Sequence, residues 1–211
     1  MDTLGIVNFG LFVAAVLLLN VTPGPDTAYI VGRSLAQGRM AGLVSALGIS
    51  AGCCVHALAL AIGLSALLQA SAGAFTAIKL AGGAYLAWLG LRMLLSRPQN
   101  AAAAPVAPAR AMSMIFMQAL ATNVLNPKVI LFFLAFIPQF VRPDAPHKAL
   151  GFLVLGVALA LISLAWNGAT ALLAGTLARG AGRNPTVRVW LERVVGASFI
   201  ALGARLALGR S

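Results

Sequence analysis

Acidic side chains are scarce in this chain: four Asp or Glu stand among 211 residues, against fifteen Lys or Arg. Histidine and cysteine number two each. Charged residues make up 9% of the chain, where a soluble domain carries about 25%. These shortages exclude most enzyme chemistry. No two carboxylates are spaced for paired acid–base work, and no nucleophile elbow is present. No phosphate-binding glycine loop is present either, so the chain cannot hydrolyse ATP itself. The N-terminus, MDTLGIVNFG, has an acid and no basic n-region. A cleavable secretory signal is therefore not expected, and the first apolar run should stay as a helix. Cys53 and Cys54 are adjacent within an apolar run. Neighbours on a helix point about 100° apart, so no bridge between them is expected and they say nothing of compartment.

What is abundant is apolar surface, at 61% of residues. Stretches of eighteen or more apolar residues recur, each long enough to cross a bilayer core as a helix. Every backbone polar group must then be satisfied inside helices. Six spans are expected, at about 4–32, 41–68, 75–95, 113–141, 149–177 and 189–208. A Pro/Ala segment carrying AAAAPVAPAR separates the spans three and three. The expected divisions are a first repeat at 1–95, a cytoplasmic linker at 96–112 and a second repeat at 113–211.

The net charge of +11 does not indicate nucleic acid, because the basic residues sit singly between apolar runs rather than on one face with interleaved aromatics. They report orientation instead. Arg33, Arg39, Arg92, Arg97, Arg110, Arg179, Arg183, Arg188 and Arg193 follow spans one, three and five. Lys79, Arg142, Lys148, Arg205 and Arg210 fall on the other side. Nine against five places both termini in the periplasm. The basic C-terminus pulls the other way, and a five-span chain would put it inside.

An odd number of spans per half reverses the second half, which makes an inverted repeat. Secondary transporters of that kind bind their cargo at broken helices near the midplane. Two breaks are visible here. Span one carries Asn20-Val21-Thr22-Pro23-Gly24-Pro25-Asp26, and span four carries Asn123-Val124-Leu125-Asn126-Pro127-Lys128. Proline removes a backbone donor and collides with the carbonyl four residues back. Pro23 and Pro25 are thus expected to free the carbonyls of Leu19 and Val21, and Pro127 that of Asn123. Gly24 permits a sharp turn. The helix ends facing each break carry partial charges that suit a zwitterion.

Asp26 near a span centre costs roughly 2.5–3.5 kcal/mol to insert. Such acids usually serve function, here by holding a substrate ammonium, a proton, or each in turn. The bland alternative is a helix N-cap at the cytoplasmic interface. Lys128 is expected either to pair with Asp26, to bind a substrate carboxylate, or to snorkel. Gln118, Thr122 and Asn126 share one helix face, as do Ser163, Asn167 and Thr170. Asn126, beside its break, reads as a pocket residue, and Asn167 as an interhelical tie. Gly48 and Gly52 form a G-x-x-x-G pair that permits close helix approach. Cys53, Cys54 and His56 are too few, and too awkwardly placed, for a metal site. Glu192 with Arg188 and Arg193 reads as an interfacial ion pair, and Trp190 as part of an interfacial belt.

At these motifs the chain resembles the LysE/RhtB amino acid exporter family, the lysine, homoserine and threonine exporters. The matching segments are Thr22-Pro23-Gly24-Pro25-Asp26, Gly82-Gly83-Ala84-Tyr85-Leu86 with Leu89-Gly90, and Asn123 through Lys128 followed by Phe132-Phe133 and Pro138-Gln139-Phe140. The likeness runs over essentially the whole chain without departure in these motifs. It implies an all-α polytopic protein of the bacterial inner membrane that exports small amino acids or derivatives to the periplasm on the proton motive force. It also implies a site built from Asn20, Thr22, Pro23, Gly24, Pro25, Asp26, Asn123, Asn126, Pro127 and Lys128. Expected partners are an amino acid, protons and lipid, with a homodimer left open; no cofactor, metal or nucleic acid is expected. The scarcity of acids favours neutral over dibasic cargo, since a second cationic group needs a second anion. A cation or metal-ion exporter and a non-transporting subunit stand as alternatives.

Overall fold

The computed structural model describes residues 2–64 and 109–179, with isolated positions at 84, 87, 88, 91, 94, 95, 193, 197, 200 and 201. Spans three and six otherwise lie outside the described residues. So do nearly all of the linker, the Gly82-Gly83 motif, Trp190 and the Arg188–Glu192 pair.

The first expected span is two helices, α1 (Phe9–Val21) and α2 (Pro25–Gln37), bent by 54° at the break between them. At 13 residues each, either helix is about 20 Å long and too short to cross a core of about 30 Å alone. The span also runs further than 4–32. Gly38, at φ 86°, turns the chain between α2 and α3 (Arg39–Ala59), which continues into a π-helical turn at Leu60–Leu64. This corrects the placement of Arg33, expected in a loop: it lies inside α2 and is buried.

The fourth expected span is likewise broken. α4 (Met112–Val124) stops and α5 (Pro127–Leu131) starts after it, extended to Phe140 by a π-helical turn at Phe132–Phe136 and a 3-10 turn at Ile137–Phe140. The bend is 50°. Proline opens the second helix at both breaks, where its missing N–H costs nothing. α6 (Lys148–Arg179) is unbroken over 32 residues, about 48 Å. Among the described residues, α3 with its extension and α6 are each long and apolar enough to span a bilayer, and each bent pair can make one further span.

The two broken helices run in opposite directions. Val7 N donates to Phe140 O at 2.9 Å and Arg142 N to Gly5 O at 2.9 Å, so the chain start lies beside the end of the second broken helix. At the other end Gln37 Nε2 donates to Arg110 O, and Arg110 N to Gln37 Oε1, both at 2.9 Å. The end of α2 thus sits at the start of α4.

Packing follows side-chain size. Phe12 of α1 meets Phe136 and Phe140 at centroid distances of 6.4 and 5.5 Å, and Phe132 and Phe152 are buried with them. Around α3 the residues are small, and a Cβ on Gly52 would lie 2.6 Å from Asn123 Oδ1. Gly48 is equally closed off, with Ala119 Cβ at 2.7 Å. The G-x-x-x-G pair thus does what its spacing predicts and admits α4. Outward faces stay apolar: Ile62 is 72% exposed and Leu161 61%, which suits lipid rather than water.

Candidate functional site

The two breaks meet, and each supplies what the other lacks. α1 ends at Val21, Thr22 is extended, and Gly24 is extended ahead of α2. The Leu19 and Thr22 carbonyls, left without helical partners, accept from Lys128 Nζ at 2.8 and 3.0 Å. The ammonium therefore sits at the negative end of α1, where a cation is favoured. In return, Asp26 in the first turn of α2 accepts from Asn123 Nδ2 at 2.8 Å and Asn126 Nδ2 at 3.1 Å. Hydrogen bonds to a charged group are worth roughly 1.5–3 kcal/mol each. Two of them offset the cost of half-burying a carboxylate here.

The pairing of Asp26 with Lys128 is replaced by this crossed arrangement. Among the described residues the salt bridge present is Arg142 with Asp144, on the exposed turn before α6. There the Arg142 guanidinium holds the Asp144 carboxyl below its ordinary range. Asp26 does not cap its own helix either, since Gly24 holds the N-cap position.

The second break is tighter than the first. Asn126 Oδ1 accepts from Lys128 N at 3.1 Å, so this side chain caps α5 while its amide holds Asp26. The Asn123 carbonyl, freed by Pro127 as expected, accepts from Asn126 N at 3.0 Å and lies 3.4 Å from His56 Nε2. Because α4 stops at Val124, Asn126 leaves the face shared by Gln118 and Thr122. That expected three-residue stripe is two residues long.

Between the breaks lies a small, partly open cavity. Of the expected residues, Asn20, Thr22, Gly24, Asp26, Asn123, Asn126 and Lys128 line it, while Pro23, Pro25 and Pro127 shape the breaks behind it. Leu19, Ile49, Val129 and Leu159 form apolar wall. Asn20 Nδ2 donates to Val16 O at 2.8 Å and Ser163 Oγ at 3.1 Å, tying α1 to α6.

Sequence reasoning missed Thr27 and Cys53, which also line the cavity, and gave Asn167 another role. Nothing in one sequence marks them, because only packing shows which neighbour they face. It also missed a half-buried polar cluster on α2 and α4. Tyr29 donates to Gln118 Oε1 at 3.1 Å, and Arg33 lies over the Tyr29 ring at 5.5 Å. Arg33 also donates to Gln118 Oε1 at 3.3 Å and to Gln37 Oε1 at 3.2 Å. The cluster ties α2 to α4 and to the residues just before it.

The cysteines diverge. Cys53 Sγ contacts Asn123 Oδ1 at 3.7 Å, whereas Cys54 is exposed on the outer face. His56 packs on Phe133 with centroids 5.3 Å apart. Among the described residues no three His, Cys, Asp or Glu side chains converge as metal ligands.

The chain is similar to known membrane proteins. An uncharacterised membrane protein of Pseudomonas aeruginosa is 34% identical, over 98% of both chains. One of Vibrio cholerae is 31% identical, over 95% of this chain and 96% of its own. The leucine efflux protein of an Enterobacter species is 28% identical, over 96% of both. No solved structure matches. The sequence model of the LysE type translocators matches residues 17–210, both breaks included, and the chain belongs to that family.

Proposed function

We propose that this protein exports small neutral amino acids from the cytoplasm to the periplasm, as a proton-coupled secondary transporter of the bacterial inner membrane. The observation that carries the reading is the Asp26 carboxylate, held by Asn123 and Asn126 in a cavity between two broken helices. A carboxylate has about four acceptor positions, and two are taken. The remainder serve a substrate ammonium in one access state and a proton in the other. With no nucleotide loop, uphill movement draws on an ion gradient.

The apolar wall of Leu19, Ile49, Val129 and Leu159 suits an aliphatic side chain, and the leucine efflux relatives support that choice. The opposed directions of the broken helices support a 3+3 inverted repeat, with halves at 1–95 and 113–211 rocking about the cavity. Without Arg33, now inside α2, the loop charges still stand eight against five for a cytoplasmic linker and periplasmic termini.

The test is efflux from loaded proteoliposomes against a panel of amino acids and metal cations, with and without an imposed pH gradient. Leucine-like amino acids are expected to leave, faster with the gradient. Movement of metal cations alone would establish the rival exporter, and no movement of any solute would favour a structural subunit.

A further inference from the structure

The site so far accounts for a substrate's ammonium but not for its carboxylate. α6 offers the missing group. Asn167 is buried, with 5% of its surface exposed, and lines the cavity. Among the described residues its side-chain amide makes no hydrogen bond, and its polar atoms are not sealed in as those of Ser34 and Ser50 are. An interhelical tie would show a partner on a neighbouring helix, and among the described residues Asn167 has none. A buried amide without a partner is costly unless something else fills that role.

Two neighbours strengthen the assignment. Ser163, one turn earlier on α6, lines the same cavity. It accepts from Asn20 in the tie to α1, so its own hydroxyl proton is not spent in that contact. The Lys128 ammonium has three donors, of which the Leu19 and Thr22 carbonyls take two. Donors from Asn167, Ser163 and Lys128 are thus left on a cavity whose fixed anion, Asp26, is engaged by other amides.

We infer that Asn167 is a specificity-determining residue whose amide binds the α-carboxylate of the substrate, with Ser163 and Lys128 completing the anion subsite. This deepens the proposed function and rests on it. Cargo is then selected as a free amino acid, and derivatives masked at the carboxyl end, such as amino acid amides, are discriminated against.

Counterflow in proteoliposomes tests this, with leucine and leucinamide as paired probes and wild type beside Asn167→Leu and Asn167→Asp. For Asn167→Leu, the leucine KM should rise at least about tenfold, with a smaller change in maximal rate, while leucinamide KM stays nearly constant. Asn167→Asp, of the same size, should weaken leucine further by repelling its carboxylate, and should favour leucinamide. An unchanged leucine KM in both variants would overturn the inference. Equal loss for leucine and leucinamide would do so too, since it marks a packing role. Loss of all counterflow in both variants, with the wild-type elution profile retained in detergent, would likewise count against it. Wild-type protein that exchanges neither probe would refute the exporter reading itself, a failure visible before any variant is compared.

Discussion

The two breaks look alike in sequence and behave differently in structure. The second is self-contained: Asn126 caps the new helix with its own side chain, and the Asn123 carbonyl takes the next amide. The first has no side-chain cap on Gly24 and leaves two carbonyls to a lysine more than 100 residues away. The second break is therefore a fixed frame, and the first is a segment held by that frame. The Thr22 hydroxyl and amide return to Leu18 O, and Lys128 supplies the hold from the second break.

Substitutions can sharpen or break this contrast. The largest effect should come from Asp26→Asn, which keeps the amide contacts in part but removes the charge. Efflux should fall at least about a hundredfold, the equivalent of losing one strong charged contact, while membrane insertion is unchanged. Undiminished efflux would remove Asp26 from the mechanism. Next is Lys128→Met, which leaves the Leu19 and Thr22 carbonyls without their donor. A loss of about 1.5–3 kcal/mol is expected, seen as a lower melting temperature in detergent and slower efflux. If melting were unchanged, the first break would not depend on the second. The smallest of the three concerns Asn126. Asn126→Asp retains the helix cap but sets a second carboxyl against Asp26, whereas Asn126→Ala loses both contacts. Each should lower efflux about tenfold, and Asn126→Ala should also lose the cap's stability, about 1 kcal/mol. An Asn126→Ala variant as stable as wild type would mean that the cap carries none of it.

Much of this was legible because proline chemistry is local. Pro23, Pro25 and Pro127 announce where helices cannot continue, and the acid and lysine beside them stand out in so apolar a chain. Asn123 and Asn126, however, reach Asp26 across 97 and 100 residues of chain, and no local rule selects that crossing over a direct ion pair. The stripe from Gln118 to Asn126 failed because its spacing assumed one unbroken helix. Arg33 was misplaced because Gly32 reads as an end, when Gly38 with its positive φ is the turn. Asn167 shows a subtler limit. A polar residue facing a cavity and one facing a helix have the same spacing, and only the neighbour distinguishes them.

The most direct test of the central claim is chemical bridging in native membranes. Asp26→Cys is combined with Asn126→Cys on a background where Cys53 and Cys54 are serine, and a short bifunctional thiol reagent is added. The account predicts efficient intramolecular bridging, slowed by leucine. Two thiols that each react with a membrane-impermeant reagent yet never bridge would place the carboxyl in bulk solvent, away from the second break, and would contradict it.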